Sequence, residues 1–170
     1  MLFENGVLSA YIYNNALISG IMVSENDWAQ GFLEEYKPFL PERDRENVYR
    51  YNLAILHFRT ANYAEAMRLL QQTTPREPLH NLDARRMLMR IYYDFKEWSA
   101  LSSLLESTRI YIRRQKDLGY GGEHYLNLVN FLQKMLKSDL SSRKTRDILR
   151  GGIEAEKSVA EKDWLLEKLK

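Results

Sequence analysis

Two arginines four residues apart, Arg86 and Arg90 in "DARRMLMRIYYD", carry the sharpest chemical signal in the sequence. On a helix they leave the same face, and like charges at that spacing disfavour the helix unless an anion or carboxylate comes between them. Tyr93 would supply an apolar wall beside them. The chemistry implied is capture of an anionic group, with no bond broken. A plainer reading pairs the two guanidinium groups with local acids such as Asp83 or Asp94.

Other reactive residue types do not gather. His57, His80 and His124 are scattered, and His57 sits inside the apolar run "AILHFR", as a hydrogen-bonded packing residue would. Glu34 and Glu35 are adjacent, so they diverge around a helix and make no carboxylate pair. "GYGG", Gly119 to Gly122, opens a helix but has no following Lys-Ser/Thr, so it reads as a flexible connector and not a phosphate loop. Arg143, Lys144, Arg146 and Arg150 form a basic cluster without interleaved aromatics, followed by Glu154, Glu156 and Glu161. That pattern describes a solvated helix face better than a nucleic-acid site. No catalytic residue, cofactor or metal ligand is assigned, and no enzymatic activity is expected.

Composition narrows the classes further. The 170 residues include 25 basic and 23 acidic side chains, a net charge of +2 that argues against a dedicated polyanion binder. Cysteine is absent, which excludes disulfides, thiolate zinc sites and a cysteine nucleophile. The apolar stretch "ALISGIMV", residues 16 to 23, is too short and too polar to span a bilayer and has no basic leader. A soluble, cytoplasmic chain of one domain is expected, with that stretch as a core helix.

The elements that must position these residues repeat. Thirty-five residues separate Trp28 from Tyr63, and again Tyr63 from Trp98. Ile18, Leu53 and Leu88 keep the same period, as do Ile21, Leu56 and Ile91, then Val23, Phe58 and Tyr93. Such self-similarity marks helical hairpins that stack on one another. "PFLP" (Pro38, Pro41) and "PREP" (Pro75, Pro78) punctuate the units where a helix cannot continue. Asp27 with Gln30, and Asn62 with Glu65, have the side chains of capping boxes. Helices are expected at about 7–23, 27–37, 44–59, 62–72, 81–94, 97–116, 122–137, 142–150 and 153–168, with Gly151–Gly152 interrupting the last stretch and Trp164 anchoring it. No segment shows strand alternation. The fold expected is all-α, in hairpins at 7–37, 44–72, 81–116 and 122–150 plus a C-terminal helix.

In "YRYNLAILHFRTANYAEAMRLL", Leu53 with Ala54, then Tyr63, Ala66 and Leu70, resemble the large and small positions of a tetratricopeptide repeat. Tyr63, Ala66 and Leu70 fall on one helical stripe, with Ala66 where the two helices of a hairpin touch. Leu88, Met89, Trp98, Leu101 and Leu105 repeat the pattern with Leu101 in the small position, and Trp98 is expected to fill space between units. The resemblance covers about residues 10 to 137, and the remainder is similar to the C-terminal end of larger bacterial repeat proteins of unassigned function. It implies a right-handed solenoid whose first helices line a concave groove. Carried over by phase, the groove positions are Tyr51, Ile55 and Phe58, then Arg86, Arg90 and Tyr93, then Leu126, Asn130 and Gln133.

The expectation is a non-enzymatic scaffold that binds a peptide or helix of a partner protein. The alternative is a structural segment of a longer repeat protein, with an uncovered apolar face from Val7 to Val23 and self-association through the first hairpin. A third reading, nucleic acid at the arginine-rich end, predicts binding that weakens steeply with salt.

Overall fold

The computed structural model describes residues 3–4, 6–115, 118 and 121–170. Among them are nine α-helices, a 3₁₀ turn and a two-stranded sheet, so the class is all-α. The chain divides into two compact units, Met1–Arg76 and Glu77–Lys170. "GYGG" falls partly outside the described residues, since only Gly121 and Gly122 of it are among them.

The first unit opens with a feature not expected. Strands β1 (Phe3–Glu4) and β2 (Val7–Leu8) pair antiparallel, Phe3 opposite Leu8 and Glu4 opposite Val7. The helix expected from residue 7 instead begins three residues later, as α1 (Ala10–Met22). An Asn-Gly pair between the strands is a strong hairpin signal, and Gly6 has a φ of 77°. Ser9 then caps α1, its hydroxyl accepting from the Ile12 amide at 3.2 Å. Helices α2 (Asn26–Tyr36), α3 (Arg45–Arg59) and α4 (Tyr63–Gln71) follow, with Pro38 inside a 3₁₀ turn, Lys37–Phe39. Each helix packs on the next, and α3 also meets α1. Tyr13, Leu17, Ala29, Leu33, Ala54, Ala66 and Leu70 form the sealed core. The buried Tyr13 hydroxyl donates to the Leu33 carbonyl at 2.5 Å, which satisfies its one polar atom.

The second unit holds α5 (Pro78–Asp94), α6 (Trp98–Arg114), α7 (Glu123–Lys137), α8 (Arg143–Ala155) and α9 (Lys162–Glu167). Consecutive helices pack in sequence here too, from α5 against α6 to α8 against α9. Pro78 occupies the first turn of α5, where its missing N–H costs nothing. The break expected at Gly151–Gly152 is absent. Helix α8 runs through both glycines, each a penalty of only about 1 kcal/mol, with Ile153 and Leu149 holding it to the core. The chain leaves the helix at Glu156 instead.

Three turns repeat bond for bond. Ser24, Ala61 and Lys96 each adopt a left-handed conformation, with φ of 63°, 60° and 60°. The amide after each reaches back five residues: Glu25 to the Gly20 carbonyl at 2.9 Å, Asn62 to His57 at 2.8 Å and Glu97 to Tyr92 at 2.8 Å. The left-handed residue itself donates three residues back, to Ile21, Phe58 and Tyr93 respectively. These are Schellman closures of a helix C-terminus. Five residues beyond them lie Ala29, Ala66 and Leu101, and nine residues beyond lie Leu33, Leu70 and Leu105, all sealed.

The turns correct two expectations. Ala61 and Lys96 keep the 35-residue spacing, but Ser24 precedes Ala61 by 37. Trp28 is therefore not the counterpart of Tyr63: it lies two residues deeper in its helix. Trp98, placed as filler between units, is instead 45% exposed at the first turn of α6. The capping boxes are not formed either. Asp27 lies inside α2, Asn62 makes no side-chain cap bond, and Glu65 pairs with Arg68 at 2.5 Å.

Candidate functional site

The arginine face of α5 is occupied from within the chain. Glu161, on the link between α8 and α9, presents its carboxylate to Arg86 and Arg90 at once. Arg90 Nη1 donates to Glu161 Oε2 at 2.9 Å, and Arg86 Nε donates to Asp83 Oδ1 at 2.8 Å. The side chains of Arg86 and Glu161 are only 14% and 12% exposed, and breaking so buried a pair from one side costs about 3–5 kcal/mol. Burial alone would lower the Arg86 pKa. The charge of Asp83, its hydrogen bond and the charge of Glu161 outweigh that and hold it above the ordinary arginine value.

One turn further along, Trp164 completes the contact. Its ring meets Tyr93 edge-on, with centroids 5.3 Å apart, and its indole N–H donates to Asp94 Oδ2 at 3.3 Å. Lys168 pairs with Asp94 at 2.7 Å. Leu165 and Leu169 are sealed beneath, each contributing about 1.5–3 kcal/mol by burial. The carboxylate that the arginine spacing calls for is thus supplied by a residue 75 positions away from Arg86. Asp83 was within sight of the sequence, whereas Glu161 was not.

Beside this face a groove stays open. It encloses about 760 Å³ and is lined by Tyr93, Trp98, Ser102, Glu106, Gln133 and Leu136, among others. Trp98 packs edge-on against Tyr93 at 5.5 Å, which holds the exposed ring at the groove margin. Leu136 is also exposed. Tyr93 thus meets both Trp164 and Trp98 edge-on. A solvent-facing tryptophan and leucine over a groove of this size are suited to an apolar side chain of a ligand.

The other expected groove residues are placed differently. Tyr51, Ile55 and Phe58 are buried in α3 of the first unit, and Phe58 meets Tyr63 edge-on at 5.5 Å. Asn130 and Gln133 come together on Arg109, whose guanidinium donates to both side-chain carbonyls. Leu126 is half-buried on α7. Trp98 and Leu136, the exposed large apolar residues of the groove lining, were not among the expected site residues. The signal for Leu136 was its place after the α7 core stripe of Leu128, Leu132 and Met135.

The first unit has a smaller groove of about 430 Å³, lined by Leu8, Ala16, Trp28, Gly31, Phe32 and Tyr36. Trp28, Phe32 and Tyr36 stack along α2 with centroids 5.3 and 4.7 Å apart. Among the described residues, no group of three histidine, cysteine or carboxylate side chains is placed to hold a metal ion. No described helix is long and apolar enough to cross a membrane. No family model, curated protein or solved structure matches the chain.

Proposed function

We propose that the chain is a tetratricopeptide-like hairpin-repeat scaffold, non-enzymatic, that holds a peptide or helix of a partner protein in the groove of its second unit. The observation that carries this reading is the exposed Trp98, fixed by Tyr93 at the margin of an open apolar groove. The likeness to tetratricopeptide repeats rests on the matching turns at Ala61 and Lys96 and on the sealed positions that follow them. Of the expected site residues, Tyr93 and Gln133 line the groove. Arg86 and Arg90 contribute indirectly, by holding the segment that backs Tyr93. The test is recovery of a binding partner from the native organism by the wild-type chain and by W98E/L136E. Recovery by the wild type alone, with the melting temperature of the variant within a few degrees, supports the reading. Equal recovery by both rules the groove out.

A second reading, that of a structural segment, draws on the first unit. Tyr11, Met22, Val23 and Trp28 are all exposed on the first hairpin, as a face awaiting cover would be. Concentration-dependent association lost on W28E would favour it.

A further inference from the structure

We propose that the C-terminal segment Glu156–Lys170 can exchange between two copies of this chain, so that Glu161 of one copy seats between Arg86 and Arg90 of the other.

Four observations carry the exchange. The segment is a discrete plug, with Glu161 clamped by two arginines, Trp164 against Tyr93 and Asp94, and Leu165 and Leu169 buried. It hangs on a link, residues 156 to 161, held by Asn127 donating to the Ser158 carbonyl and by the Ala160 amide donating to the His124 carbonyl. Glu161 itself is left-handed, at φ 56°, a conformation that strains a residue with a side chain and that an extended link would relieve. Helix α9 has six residues, too few to persist alone in water.

Those facts also choose the occupant. A released segment exposes Leu165, Leu169 and Trp164, so whatever replaces it must cover the same positions and supply the same carboxylate. A second copy carries that segment at equal concentration and restores the contacts of Glu161, Trp164, Leu165 and Leu169, and exchange of an identical element is a low-cost route to a dimer.

Two complementary variants of the full chain test it. R86E/R90E keeps the segment and loses its seat, whereas E161K/W164A keeps the seat and loses the segment. Each alone should sediment as a monomer. Mixed at equal concentration they should form a one-to-one dimer, and each variant is checked for helicity by circular dichroism. A mixture that stays monomeric while both are helical overturns the exchange. If the reversed charges unfold the chain, R90Q and E161Q keep every buried apolar side chain. Their mixture must then give at least twofold more dimer than either alone, and equal amounts overturn the proposal. This inference does not depend on the groove, because W98E/L136E leaves segment and seat intact and should dimerise like the wild type.

Discussion

Trp98 rests edge-on against Tyr93 with ring centroids 5.5 Å apart, yet stays 45% exposed. Phe58 and Tyr63, thirty-five residues earlier, meet at the same 5.5 Å. The pairing belongs to the repeat, while the exposure belongs to this copy of it. W98A should therefore cost about 1–3 kcal/mol, from the transfer energy of the half-buried ring together with the aromatic pair. A loss of about 3–5 kcal/mol in urea unfolding would mean that the ring fills a core cavity after all.

Ala66 is sealed, at the same offset from its turn as Ala29 and Leu101. A66L should overpack the α3–α4 contact and cost about 1–3 kcal/mol. An unchanged melting temperature would contradict the hairpin packing described.

Glycines offer a matched pair. A Cβ on Gly20 would fall 2.7 Å from two Trp28 ring carbons, whereas one on Gly151 meets nothing within 4 Å. G20A should destabilise by about 1–3 kcal/mol, and G151A, inside α8, should stabilise by about 0.5–1 kcal/mol. Thermal unfolding of both variants, compared with the wild type, checks the signs.

The hairpin scheme was legible because it rests on local signals. Ala66, Leu70, Leu101 and Leu105 are read from period and size alone, and the proline links follow from backbone chemistry. The turns themselves were silent. Ser24, Ala61 and Lys96 hold a conformation usually given to glycine, so no glycine marked the helix ends, and the two-residue offset of the first hairpin was invisible. Gly151 and Gly152 misled in the other direction, since helix interiors tolerate glycine when a neighbour such as Ile153 is buried. The Arg86–Glu161 pair was out of reach for a different reason. Spacing shows that two arginines want an anion, but the carboxylate that arrives is set by tertiary packing.

Those silent turns give their own prediction. A left-handed residue with a side chain is disfavoured by about 1–2 kcal/mol, part of which glycine returns as unfolded-state entropy. K96G should therefore stabilise by about 0.5–1 kcal/mol, read as a rise in denaturation midpoint. A fall would show that the Lys96 side chain contributes more than its backbone strain costs.

Tyr125 predicts an alkaline limit. Burial, helped by the charge of Asp83, pushes its phenol up to about 12 from an ordinary 10. The folded chain holds that proton more tightly than the unfolded one, so the contribution is whole below pH 10 and is lost as pH rises toward 12. Urea midpoints should fall across that window, and less steeply in Y125F. Identical slopes would show that Tyr125 is not the group responsible.

Binding of a partner in the groove beside Trp98 is open to site-specific photo-crosslinking. A photoreactive residue replaces Ser102, which lines the groove, or Glu154, which is exposed on α8. A discrete crosslinked species is expected from position 102 in native extract, lost when W98E is added, and none from position 154. Crosslinks of equal yield at both positions, or persisting at 102 with W98E, would contradict it.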